Sequence, residues 1–215
     1  MSRRAGAWLS LVFCLTLLAQ WPARWLGLPL QGVTGSLWQG QAARLGVVGP
    51  LRWDLNPWRM QAQVWLGFQG QGWQVRVGGW PWHWQAEIEA LGAWPTVAQS
   101  LRLGGQWQGR MQLKVAGRQC RQAQGRITVN DLALVEPWSL GLGRGTLEMH
   151  CQEGWRLSGK LELPDQHLLV LDADLLGRRA TVTVEVQPEA ALTPVLRGVQ
   201  WLGAEALREQ RDVRW

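Results

Sequence analysis

The sequence predicts a mainly β protein: a single N-terminal transmembrane helix, then an exported, strongly twisted and curled, mostly antiparallel β-sheet with one or two short helices. Three observations carry that reading. Apolar and polar residues alternate with period two through most of the chain beyond residue 30, short Gly- and Pro-containing turns separate the alternating runs, and a charge-free stretch opens the chain.

Arg3 and Arg4 precede 19 residues without a charge, Ala5 to Ala23. As a helix this stretch spans about 28 Å at roughly 1.5 Å per residue, close to a bilayer core of about 30 Å. A cleavable leader ends in small residues, whereas this segment ends in Gln20-Trp21-Pro22, and Trp25 beside Arg24 suits the headgroup layer. Residues 5–23 therefore read as an uncleaved anchor. Arg3, Arg4 and the terminal amine outweigh Arg24, so the positive-inside rule leaves the short end in the cytoplasm. Residues 1–25 become the cytoplasmic end and anchor, and residues 26–215 the exported domain. In a Gram-negative cell this is a single-pass inner-membrane protein with its bulk in the periplasm.

Strand periodicity is clear in Gln61–Phe68, Trp73–Val77, Met111–Val115, Gly125–Val129, Gly145–His150, Trp155–Leu163, His167–Asp174 and Ala180–Val186. The intervals are short, so neighbouring strands are expected to meander antiparallel. Gly40, Gly67, Gly109 and Gly159 inside such runs signal bulges or coiled sheet. Two stretches read as helical: Pro95 to Leu101, and Ala190 to Arg208 interrupted by Pro194. The motif Trp38-Gln39-Gly40 recurs as Trp107-Gln108-Gly109, which suggests two similar sheet halves meeting near residues 95–105.

Composition narrows the function. With 47% hydrophobic and 18% charged residues the chain is neither a disordered tail nor a polytopic membrane protein. A net charge of +6 permits contact with nucleic acid, yet no Lys/Arg block forms the footprint such binding needs, and a solvated face accounts for the scattered basic residues. Cys120 and Cys151 both fall in the oxidising compartment and either pair as a disulfide or sit as two half-buried thiols on separate strands.

A search for chemistry finds no catalytic, metal or cofactor constellation. His83, His150 and His167 are isolated, without HExxH or CxxC spacing. The pairs Glu87/Glu89 and Asp172/Asp174 share strand faces, but their apolar alternation with Ile88 and Ala173 reads as a solvated face rather than an acid–base pair. Gly141-Leu142-Gly143-Arg144-Gly145 leads into a strand-like run, lacks the helix that cradles phosphate, and reads as a flexible turn. The tryptophans at 53, 58, 65, 73, 80, 82, 84, 94 and 107 supply either core bulk or an apolar groove. Trp80, Trp82 and Trp84 in particular would form one apolar ledge if their segment is extended.

Leu30-Gln31-Gly32-Val33-Thr34-Gly35-Ser36-Leu37-Trp38-Gln39-Gly40-Gln41-Ala42, followed by Leu51-Arg52-Trp53-Asp54-Leu55-Asn56-Pro57, resembles the opening signature of the type II secretion system protein N family. Its signature positions here are Gly32, Gly35, Leu37, Trp38, Gln39, Gly40, Arg52, Trp53 and Pro57. Val184 to Ala190, with Leu192, Leu196, Leu202 and Gly203, is similar to that family's closing strand and helix. The resemblance implies an inner-membrane component of the pathway that moves folded proteins from the periplasm across the outer membrane, with no catalytic residues and no cofactor. Its expected partners are other inner-membrane secretion subunits and, through residues 5–23, the lipid bilayer. The other reading of the same sheet is an anchored periplasmic protein that holds lipid acyl chains in a Trp-lined groove.

Overall fold

A computed structural model describes residues 8, 12–13, 16, 22–23, 29–95, 102–136, 139–152 and 154–215. Among the described residues the strands are β1 (Leu30–Gln31), β2 (Thr34–Gly35), β3 (Gln39–Ala42), β4 (Arg44–Leu45), β5 (Leu51–Asn56), β6 (Gln61–Phe68), β7 (Gln71–Trp80), β8 (His83–Ala93), β9 (Arg102–Ala116), β10 (Gln119–Glu136), β11 (Leu140–His150), β12 (Arg156–Leu163), β13 (His167–Asp174), β14 (Arg179–Val186) and β15 (Arg208–Arg214). A short helix, α1, covers Leu192–Gly198.

Thirteen strands make one antiparallel sheet in the order β15-β14-β13-β12-β11-β10-β9-β8-β7-β6-β5-β3-β2, and β1 pairs with β4 in a separate two-stranded ribbon. This is the expected meander, and β6 and β13 occupy the spans that alternation alone delimits. The expectation of a strongly curled sheet is corrected. Each large strand pairs with its neighbours in the meander, β2 and β15 remain as two separate edges, and the sheet stays open over about 58 Å at roughly 4.8 Å per strand. Small local cores seal its two ends, so the sheet does not need to fold onto itself.

Register divides the sheet into two unlike faces. Trp53 pairs with Val64, Val64 with Val75, Val75 with Ile88, Ile88 with Met111, and further along Leu147 with Ile127 and Leu169 with Leu161 and Val184. Alternation puts these on one side, which is therefore apolar from β5 to β14. The opposite side carries cross-strand ion pairs: Arg110 to Glu87 at 3.0 Å and Glu89 at 3.3 Å, Arg76 to the same two carboxylates, Arg126 to Glu148, Arg144 to Glu162 at 3.3 Å, and Arg156 to Asp172 at 3.2 Å. Exposed pairs of this kind add little stability one by one, but together they mark the polar face and hold the register.

At the C-terminal end, Val184 and Val186 of β14 bury against Leu192, Leu196 and Leu202, with Trp201 and Leu169 packed around them. Those are the residues of the closing signature. The helix is much shorter than the expected 190–208, because Pro194 leaves only a first turn that tolerates it and the chain turns at Gln200 with φ 59°. The segment beyond returns as the edge strand β15, which the sequence reading did not assign. Its alternating charges, Arg208, Glu209, Arg211, Asp212 and Arg214, blunt an edge otherwise open to pairing. Gly141–Gly145 is likewise corrected from a turn to part of β11, where Gly143 pairs with Leu132 at a register shift. The helix expected over 95–101 lies, beyond Pro95, outside the described residues.

Among the described residues no helix is long and apolar enough to cross a membrane. The anchor expected over 5–23 falls mostly outside them. Within that stretch Trp8, Val12, Phe13 and Thr16 are helical and exposed.

Glu209 fastens β15 to the turn before it: its carboxylate accepts the Gly203 N–H at 2.9 Å and the Arg211 guanidinium at 3.0 Å. The Gly203 amide, then Arg211, hold this carboxyl below its ordinary value of 4.5. A folded-state value below the unfolded one means the stabilisation is present above that ordinary value and is lost as pH falls through the lowered one. Acid unfolding followed between about pH 5 and 3 is expected to be less steep in Glu209→Gln than in the parent chain.

Candidate functional site

The signature residues converge on one indole. Trp53, at the centre of β5 and 8% exposed, donates its Nε1–H to the carbonyls of Leu37 at 3.1 Å and Ser36 at 3.3 Å. Gly40 pairs directly with Trp53 in the ladder, and a Cβ at position 40 would lie 2.3 Å from the Trp53 ring atom Cζ2. A glycine is needed there because the indole occupies the space of a side chain. Gly35 adopts φ +93°, with room for neither a side chain nor a shift, since a Cβ would meet the Gln39 carbonyl at 2.5 Å. It turns β2 into β3 so that the Ser36 and Leu37 carbonyls reach the ring. Gln39 Nε2 donates to Asp54 at 3.3 Å across the same pair.

Pro57 begins a 3-10 turn, Pro57–Arg59, which Asn56 caps by accepting the Arg59 N–H at 3.1 Å. Arg52 projects on the polar side and is exposed, while Trp38 supplies its carbonyl to the Leu55 N–H at 2.6 Å. Gly32, with φ +64°, faces Ala43 at the β1–β4 ribbon. The signature therefore builds a corner of the sheet.

That corner holds the end of the leading apolar segment. Ala23 is 1% exposed and packs with Ala42 and Trp53, surrounded by Leu30, Val33, Leu51 and Val64, and Pro22 bridges to Ser36. Ala23, Ser36 and Ala42 were not singled out from sequence. The available signal was that Ser36 sits inside the glycine-bounded motif and that Ala23 closes the charge-free run.

The other predicted residues are distributed. Cys120 and Cys151 are joined by a disulfide with Cα atoms 5.1 Å apart, tying the start of β10 to the end of β11. Trp155 reinforces this tie by donating to the Arg118 carbonyl at 3.1 Å and packing 5.9 Å from Trp84. Trp80, Trp82 and Trp84 do not share one face, because the β7–β8 turn falls inside the set. Trp80 and Trp82 stack at 5.3 Å and are exposed at the hairpin tip, while Trp84 is half-buried on the apolar side.

Glu87 and Glu89 are clamped by Arg76 and Arg110, and Asp174 accepts the Gly177 N–H and the Arg179 guanidinium, which hold its carboxyl below the ordinary value. These carboxylates act as partners of cations across strands. His150 bonds Ser158 at 3.0 Å, His167 bonds the Leu142 carbonyl at 3.1 Å, and among the described residues no group of three or more metal-ligating side chains gathers. An apolar hollow of about 280 Å³ lies over β9 to β14, lined by Ile127, Val129, Leu147, Leu161 and Leu171, and Trp107 is the tryptophan that reaches it.

Two substitutions test this account in the full chain. Gly40→Ala is expected to displace the Trp53 ring at a cost of about 1–3 kcal/mol, read by denaturant unfolding, whereas the same change at the open Gly46, a φ +58° position, costs only its backbone strain. Cys151→Ser releases a loop of 31 residues and is expected to lower stability by about 2–4 kcal/mol, a shift that reducing agent reproduces in the parent but not in the variant.

A family model described as type II secretion system protein N matches residues 27–214. No curated protein and no solved structure matches the chain significantly. The match covers the signature corner, the whole ladder from β1 to β15 and the closing helix: the chain belongs to the type II secretion system protein N family.

Proposed function

We propose that this chain is a non-catalytic accessory or scaffold component of type II secretion, held in the inner membrane by residues 5–23 with its N-terminus cytoplasmic and its sheet in the periplasm. The observation that carries the reading is the corner itself. Pro22 and Ala23 are fastened to the sheet by the family signature, so a segment entering there would present the sheet at a fixed position. The Cys120–Cys151 disulfide suits an oxidising compartment and supports the periplasmic placement.

In this reading the protein works by tethering. The ion-paired face is the surface open to neighbouring inner-membrane secretion subunits, and no bond is made or broken.

The test is secretion of a type II substrate by cells lacking the native gene and complemented with variants. Replacing residues 5–21 by an unrelated apolar span, with Pro22 and Ala23 kept, is expected to preserve secretion, and Trp53→Ala, at equal protein level, to reduce it at least tenfold. Normal secretion without the periplasmic body, together with no co-purifying secretion subunit, would contradict the proposal.

A further inference from the structure

In an antiparallel meander alternate turns lie at the same end of the strands. The turns at 36–38, 57–60, 81–82 and 117–118 therefore share one end, and backbone bonds confirm their proximity: the Gly79 N–H donates to the Met60 carbonyl at 3.0 Å and the Gly117 N–H to the Trp82 carbonyl at 2.8 Å. Four large apolar side chains project there into solvent. Trp58 is 93% exposed, Trp80 54%, Trp82 59% and Met60 40%. Arg59 and Arg118 stand exposed in the same turns, and the turn sequences Pro57-Trp58-Arg59-Met60, Pro81-Trp82 and Gly117-Arg118 contain no acidic residue.

We propose that this end is a bilayer-contact surface, seated in the headgroup layer of an anionic membrane. The proposal extends the reading of a membrane-mounted sheet but stands on the sheet's own turns. Three features select a lipid surface as the occupant. Indoles with an apolar body and a polar N–H partition to the headgroup level, and arginines beside them match anionic lipid. The side chains stand on separate hairpin tips around no enclosing pocket, which fits a fluid interface better than a shaped partner. The end is also the one to which Pro22 is bridged through Ser36, so it is continuous with the leading apolar segment. Trp80 and Trp82, stacked in parallel across Pro81, form a stiff wedge that loses little side-chain freedom on insertion.

The experiment uses the full chain, labelled with 5-fluorotryptophan and reconstituted in nanodiscs of phosphatidylethanolamine and phosphatidylglycerol. The fluorine signals of Trp58, Trp80, Trp82 and Trp94 are assigned by single replacement with Phe. A small fraction of lipid carrying a nitroxide on its headgroup is expected to broaden Trp58 and Trp82 at least threefold more than Trp94, which is also exposed but follows β8 at the opposite end. Arg59→Glu combined with Arg118→Glu is expected to reduce the broadening of Trp58 and Trp82 by half or more, and so is exchange of phosphatidylglycerol for phosphatidylcholine, which requires no substitution.

Equal broadening of Trp58, Trp82 and Trp94 would overturn the proposal. So would broadening indifferent to both the charge reversal and the lipid exchange, or protection of Trp58 and Trp82 that depends on a second copy, seen as cross-linked dimers. Secretion is not a readout here, so failure of this inference is distinguishable from failure of the secretion role: the first leaves transport unchanged while the broadening pattern is lost.

Discussion

The indole of Trp53 is the constraint on which the N-terminal half of the sheet depends. Its ring takes the space over Gly40, and its N–H is satisfied by two carbonyls of a turn that only the Gly35 backbone conformation brings within reach. A buried indole N–H without a partner costs about 1–3 kcal/mol, so ring, turn and glycine stand or fall together. The same ring forms one wall of the small core that buries Ala23. A single packing event thus fixes the register of β3 against β5, shapes the turn and secures the chain that precedes the sheet.

The remainder of the molecule follows from a division between faces. An open antiparallel sheet this wide would be a poor soluble object if both sides were alike, since it would slip in register or pair with copies of itself. Here the apolar side is sealed at its two ends by local cores, around Trp53 and around Val184 and Leu196, and the other side is laced by arginine–carboxylate pairs. The charged edge β15 and the two-residue edge β2 leave little backbone to recruit. The disulfide and Trp155 tie two adjacent hairpins at the end where the exposed tryptophans stand. Rigidity of these tips is what lets them act as a surface.

Much of this was legible in the residues. Strict alternation located β6, β7 and β9 to β14, in two cases to the residue, because a side-chain period of two is imposed by one buried face. The signature pointed to the corner because its glycines answer to close approaches. What escaped had physical reasons. The closing tail was unassigned as a strand because its charges hide the alternation that edge strands do not need. Gly141 to Gly145 read as a turn because glycine spacing says nothing of whether a ladder partner is available. Overall curvature depends on end cores formed by residues far apart in sequence, such as Ala23 with Trp53, and no local pattern encodes it. The three tryptophans near residue 82 were misjudged as one face because a two-residue hairpin falls between them.

The central claim is that the family signature exists to hold Trp53 and, through it, the start of the sheet. It is tested most directly by hydrogen exchange at the indole nitrogens of the full chain, followed by nitrogen-15 NMR in nanodiscs. The Trp53 indole N–H, bonded and buried, is expected to exchange at least a hundredfold more slowly than that of Trp58, which is 93% exposed. Exchange of the two at comparable rates would contradict the account.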